Sequence, residues 1–158
     1  MAQDAFVVRH GDGFELRLDD NDLALLRRII GELRALLISE NPASDPAVAR
    51  LFPPAYPDDI LRNLDYEQTA GGGLLAERLA DLDRAEAALG AARADEDALM
   101  ALMRTVNDLR LVYGTRLDVK EESEPEDFAE DGDRATFYLY VRLAWLIQDA
   151  LEALGDAG

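Results

Sequence analysis

Apolar and polar positions along this chain follow two periods, and the switch between them divides it. Near the N-terminus the period is two. Phe6 and Val8 alternate with Val7 and Arg9, and Phe14, Leu16 and Leu18 alternate with Glu15 and Arg17. Between these runs lies His10-Gly11-Asp12-Gly13, whose glycines permit the positive φ that tight hairpin turns require. The pattern predicts a β-hairpin over Phe6–Leu18 with one face packed against the rest of the chain, because an isolated hairpin is marginal in water.

From Asp19 onward the period is that of helices. Asp19 and Asp20 offer N-caps, and Asp22 adds negative charge to a first turn. A helix is predicted from about Asp20 to Ile38, with Leu23, Leu26, Ile30, Leu33 and Leu37 on one stripe and Leu25, Ile29 and Leu36 widening it. Asp45-Pro46 reads as an N-cap and first helical residue. The short helix it opens carries Val48, Leu51 and Phe52. Pro53-Pro54 and Pro57 stop that helix, making Asp45–Asp59 a rigid, packed connector. Ile60, Leu61, Leu64 and Tyr66 suggest a further turn or two, and Gly71-Gly72-Gly73 reads as a flexible break. Leu74, Leu75, Leu79, Leu82 and Leu89 predict a helix ending at Gly90 as its C′ residue. Ala85, Ala87 and Ala88 would let a neighbour approach closely.

The next helix starts near Ala94. Its buried stripe is Leu99, Leu102, Met103, Val106, Leu109 and Tyr113, and Gly114 is read as its stop. Leu117 and Val119 then alternate with Arg116 and Asp118, which suggests a third strand near Leu117–Val119. A last helix is predicted over Arg134–Leu154, with Phe137, Tyr140, Val141, Ala144, Trp145, Gln148 and Leu151 on its core face. Tyr138 lies off that stripe and is a candidate interface residue. The expected fold is mainly α, a bundle of about four main helices with a small N-terminal β-hairpin.

The length of 158 residues suits a single domain, 1–158, with a frayed end at 155–158. Charge changes the picture more than length does. The chain holds 33 acidic against 16 basic residues, a net charge of -17. That field repels a phosphate backbone and an anionic membrane surface alike, so neither nucleic acid nor membrane is an expected partner. There is no cysteine, which excludes disulfides, thiol nucleophiles and thiolate metal sites. The N-terminus lacks the basic and apolar regions of a signal peptide, and no apolar run reaches the ~20 residues of a membrane span. A cytoplasmic location is expected.

Candidate chemistry is sparse. His10 is the sole histidine and is read as an exposed turn residue. Nine of the sixteen residues over 118–133 are acidic, which predicts a solvated loop. An EF-hand fails there: in the best phase, opening at Asp127, the third position is Ala129 and the twelfth is Tyr138. Gly71–Gly73 has neither the strand nor the lysine of a phosphate-binding loop. No catalytic, cofactor-binding or metal-binding residue is assigned, and no cofactor is expected. Asn107-Asp108-Leu109-Arg110 is more informative, since Asn and Asp are poor mid-helix residues. Arg104 and Asp108, one turn apart, are placed to pair on the surface. A polar network of Asp45, Arg50, Asn107, Asp108, Arg110 and Arg116, locking this helix to the connector, is the leading reading.

Two strings, DPAVARLFPPAYPDD at Asp45–Asp59 and VNDLRLVYGTRLDV at Val106–Val119, carry a resemblance to an actinobacterial family of unknown function. Its members are typically encoded beside the adaptor of the Clp protease. The triple glycine and the length of the acidic loop depart from that family. The resemblance assigns no catalytic residue, and its gene context implies a link to protein turnover. The expectation is a non-enzymatic interaction or regulatory module with an unidentified protein partner, homodimerisation included. An enzyme or small-molecule binder built on Asn107, Asp108 and Arg110 is the alternative. A DNA-associated transcriptional regulator is a further one, disfavoured by charge.

Overall fold

The computed structural model describes residues 5–39, 46–49, 51, 72–120, 122–128 and 130–155. Its first element is the hairpin. Strands β1 (Val7–His10) and β2 (Gly13–Leu16) pair antiparallel, Val7 opposite Leu16 and His10 opposite Gly13. Gly11 at the turn has φ +62, which a side chain would strain. Val7, Phe14 and Leu16 are buried, so this sheet has one face in the core.

The third strand is not at Leu117–Val119. It is the two-residue β3 (Arg93–Ala94), pairing antiparallel with β2 through Phe14–Ala94 and Glu15–Arg93. At Gly13 a Cβ would stand 2.9 Å from the Ala94 carbonyl oxygen, so this edge needs a glycine. The segment Leu117–Val119 instead ends a helix.

Among the described residues the chain forms five α-helices, four of them long, and the small antiparallel sheet. Helix α1 (Asp20–Leu37) is capped by Asp19, whose carboxylate accepts from the Asp22 amide at 2.7 Å. It buries Leu26, Ile29, Ile30, Leu33 and Leu37. Helix α2 (Pro46–Ala49) seats Ala47 and Val48 in the core. Helix α3 (Gly72–Ala91) takes in Gly72 and Gly73, so these are not the break expected there. It also passes Gly90, and Ala92, at φ +56, makes the turn into β3. Gly90 serves a neighbour instead: a Cβ there would lie 2.8 Å from an Arg27 guanidinium nitrogen.

Helix α4 (Glu96–Leu117) is capped by Asp95, which accepts from the Ala98 amide at 2.8 Å. Gly114 does not stop it. The helix continues to Leu117 and closes on Asp118 in the left-handed conformation, φ 53. The glycine is there because a Cβ would meet the Tyr140 ring at 3.1 Å. A one-turn 3-10 helix (Pro125–Asp127) follows, and helix α5 (Asp131–Gly155) completes the chain. Of the acidic loop, Glu122, Glu124, Glu126 and Asp127 are exposed. Its end is fixed by Phe128, whose ring lies 4.9 Å from that of Phe137.

The core face predicted for α5 is wrong. Leu143, Leu146, Ala150 and Ala153 are the buried residues, with Leu139, Ile147 and Leu154 packed beside them. Of the predicted stripe only Phe137 is buried, whereas Trp145 is 53% and Leu151 50% exposed. Apolar residues also occupy the predicted side, so the local pattern fits either one, and packing selects the leucine one.

Candidate functional site

Asp108 is the only acidic residue among the described ones that is buried, at 8% exposure. Its place follows from helix geometry. Ala101, Thr105, Asp108 and Val112, spaced three and four apart, are all buried along one side of α4. Asp108 Oδ2 accepts from Arg78 Nη1 at 2.6 Å, and Arg78 Nη2 donates to the Leu51 carbonyl at 2.8 Å. One guanidinium of α3 thus ties α4 to Leu51, two residues past α2. Burial pushes the Asp108 carboxyl above the usual carboxylate range, and the facing Arg78 guanidinium pulls it partly back. A carboxyl so raised favours the fold most below its ordinary titration range, and that contribution fades as pH rises through its folded value.

The polar candidates do not gather in one place. Asn107 faces solvent, Asp108 points to α3, and Arg110 lies against α5. Successive helix positions are about 100° apart, so near neighbours in sequence diverge. The Arg110 guanidinium sits 4.9 Å from the Tyr140 ring centroid, with Nη2 donating to the Tyr140 hydroxyl at 3.3 Å. Arg116 is exposed in the last turn of α4. Asp45 and Arg50 lie outside the described residues. Tyr138 is 53% exposed.

Arg104 does not pair with Asp108. It makes a two-pronged contact with Asp81, Nε to Oδ2 at 2.9 Å and Nη2 to Oδ1 at 3.0 Å. Arg34 of α1 grips Asp83 and Glu86 of α3, each at 2.9 Å. Arg142 of α5 pairs with Asp22 of α1, and Asp149 accepts the Phe6 amide at 2.8 Å. Tyr113 donates to Glu32 at 3.2 Å, and burial pushes its hydroxyl up to about 12, Glu32 adding to the effect. Arg78 was the residue sequence reasoning missed. Its signal was its place among Leu75, Leu79 and Leu82, where an arginine on an apolar stripe must find a buried acceptor.

Cavities offer little. An apolar cleft between Phe6, Leu18, Leu25, Leu139 and Leu143 holds about 30 Å³. That is some tenfold short of a small-molecule pocket of roughly 300 Å³. A shallow trough of about 420 Å³ runs beside Glu77, Arg78, Asp81, Arg84 and Arg104. Its Arg78 and Arg104 are held by the fold's own carboxylates. A groove of about 220 Å³ passes Arg110, Gly114, Thr115, Asp118 and Tyr140. Among the described residues no group of three or more His, Asp or Glu could hold a metal, and no helix is long and apolar enough to cross a membrane.

What stands out on the surface is apolar. Six large apolar side chains are exposed among the described residues: Ile38, Met100, Leu111, Tyr138, Trp145 and Leu151. All but Ile38 belong to α4 and α5.

The molecule is thus a mainly helical domain with a three-stranded antiparallel sheet at its N-terminus and several exposed apolar side chains on its last two helices. The chain belongs to the family described as domain of unknown function DUF2017, whose profile covers residues 3–154. No curated protein and no solved structure matches it.

Proposed function

We propose that this protein is a non-enzymatic interaction module that regulates or adapts a partner protein. One observation carries the reading: α5 exposes Tyr138, Trp145 and Leu151 on its sides turned away from the core, which other residues of the same helix already fill. Apolar patches of this kind on a soluble domain mark contact sites. The polar groups that an enzyme would use are instead consumed in joining helices, as Asp108 is by Arg78 and Asp81 by Arg104. The charge of -17 suits a protein partner better than DNA. A cytoplasmic role in protein turnover is the setting that the family resemblance favours. Crosslinking of the full-length protein in living cells, read by mass spectrometry, tests the reading. Reproducible crosslinks to a protein partner are expected, and recovery of none, itself included, refutes it.

A further inference from the structure

Arginines in this fold join helices, and they do so on carboxylates. Arg34, Arg78, Arg104 and Arg142 each cross to another helix, and each ends there on an aspartate or glutamate. Arg110 crosses from α4 to α5 and ends on a phenol. Its guanidinium lies 4.9 Å from the Tyr140 ring centroid, and Nη2 donates to the Tyr140 hydroxyl at 3.3 Å. Among the described residues no carboxylate pairs with it. Nε is buried without an acceptor, and Nη1 is unbonded and open to solvent. In a chain with 33 acidic residues, this half-buried cation is left to an aromatic ring.

The surroundings of Arg110 are built to hold it. Gly114, one turn further on, lets the Tyr140 ring close on α4, since a Cβ there would stand 3.1 Å from the ring. The ring in turn holds the guanidinium by cation–π attraction. Leu111, Thr115, Asp118 and Val119 complete a groove of about 220 Å³. From Arg110 to Lys120 the chain carries three basic residues, Arg110, Arg116 and Lys120, and one acidic residue, Asp118. This stretch is locally positive in a molecule whose net charge is -17.

The donor set names the occupant. A guanidinium presents paired N–H donors spaced to meet the two oxygens of a carboxylate. A phosphate dianion is disfavoured, because Asp118 lines the same groove and its repulsion grows with the ligand's charge. Size narrows the choice further. The groove is smaller than the roughly 300 Å³ of a small-molecule pocket, and a lone ion pair at a surface is weak. A free small acid therefore has too little to hold it. A carboxylate that arrives on a larger surface has more, since the exposed Leu111 lies beside it and arginine is a common interface anchor.

We propose that the groove between α4 and α5 seats a carboxylate of a partner protein, from a side chain or a chain end, held by Arg110 on the Tyr140 ring. This rests on the reading of the protein as an interaction module and names the chemistry of the partner's anchor.

The test is an NMR titration of the isotope-labelled full-length protein, read at the amides of Leu111, Gly114 and Thr115. The probes are acetyl-Ala-Ala-Leu with a free carboxylate, the same peptide amidated, amidated acetyl-Ala-Asp-Leu, and inorganic phosphate, all at about 150 mM salt. Saturable shifts are expected with a carboxylate peptide and at least about fivefold weaker binding with the neutral peptide and with phosphate. The free-acid and aspartate peptides separate a chain end from a side chain. Arg110→Lys keeps the charge and loses the fork, and is expected to weaken binding at least about threefold. Leu111→Glu, at an exposed position, brings a carboxylate into the groove and is expected to abolish the shifts without lowering the melting temperature. Equal binding of the neutral peptide or of phosphate overturns the proposal. So does the absence of any shift, or undiminished binding by Arg110→Lys.

Photo-crosslinking residues placed at positions 111, 145, 38 and 84 in cells separate this claim from the broader one. Crosslinks from 111 to a partner segment that holds an acidic residue or a chain end support it. Crosslinks from the other positions alone overturn the groove and leave the interaction reading intact, and none from any position removes both.

Discussion

Two regions of this molecule differ in how they place charge and grease. Between α3 and its neighbours, arginines and carboxylates meet: Arg34 with Asp83 and Glu86, Arg104 with Asp81, and Arg78 with the buried Asp108. On the outer side of α5, tryptophan, tyrosine and leucine face outward. The seam is tolerable because each charge there has an oriented partner, and its geometry fixes how the helices sit. The outer face has no such internal account. Its exposed side chains take no part in the core, and this makes them the better candidates for function.

The largest effect that sharpens the contrast lies within α5 itself. Leu146→Ala removes a buried side chain and is expected to cost about 3 kcal/mol, seen as a melting temperature lower by roughly 10 °C. Arg78→Ala strips Asp108 of its partner and is expected to cost about 2 kcal/mol, reduced from the fully buried case because the arginine is part-exposed. Asp108→Asn is expected to cost less, since burial already disfavours the carboxylate charge. Denaturant titration of both variants checks that order, and equal losses would mean that the ionic character of the seam matters more than its hydrogen bonds.

Alkaline titration probes the α1–α4 contact. With the Tyr113 hydroxyl pushed up to about 12 from an ordinary value near 10, the stability it contributes is complete below pH 10 and fades toward pH 12. Tyr113→Phe is therefore expected to flatten the loss of stability in that window by about 2 kcal/mol. The smallest effect is expected at Trp145→Ala, within about 0.5 kcal/mol of the parent, because the side chain is half exposed and faces away from the core. A loss as large as that at Leu146 would mean the outer face belongs to the fold.

Much of the architecture was legible in the order of residues. Strict alternation with a glycine turn placed the hairpin, and Asp19 before a leucine stripe placed α1. The string from Val106 to Val119 plays parts that its local pattern does not show. Gly114 is a point of close approach to Tyr140, and Asp108 reaches Leu51 through Arg78. A glycine looks the same in sequence whether a turn or a neighbour demands it. The third strand was misplaced for a similar reason, as two residues between helices leave no periodic trace and only the Phe14–Ala94 pairing makes Arg93–Ala94 a strand.

Sequence by itself determined the four long helices in outline, the surplus of negative charge and the absence of thiol chemistry, because these follow from local propensity and composition. Tertiary structure decided which side of α5 is inside and which arginine answers Asp108. Both are questions of distance between residues far apart in the chain. A helix apolar on two sides satisfies the same local physics in either orientation, and only the packing of leucines against α1, α4 and the sheet chooses between them.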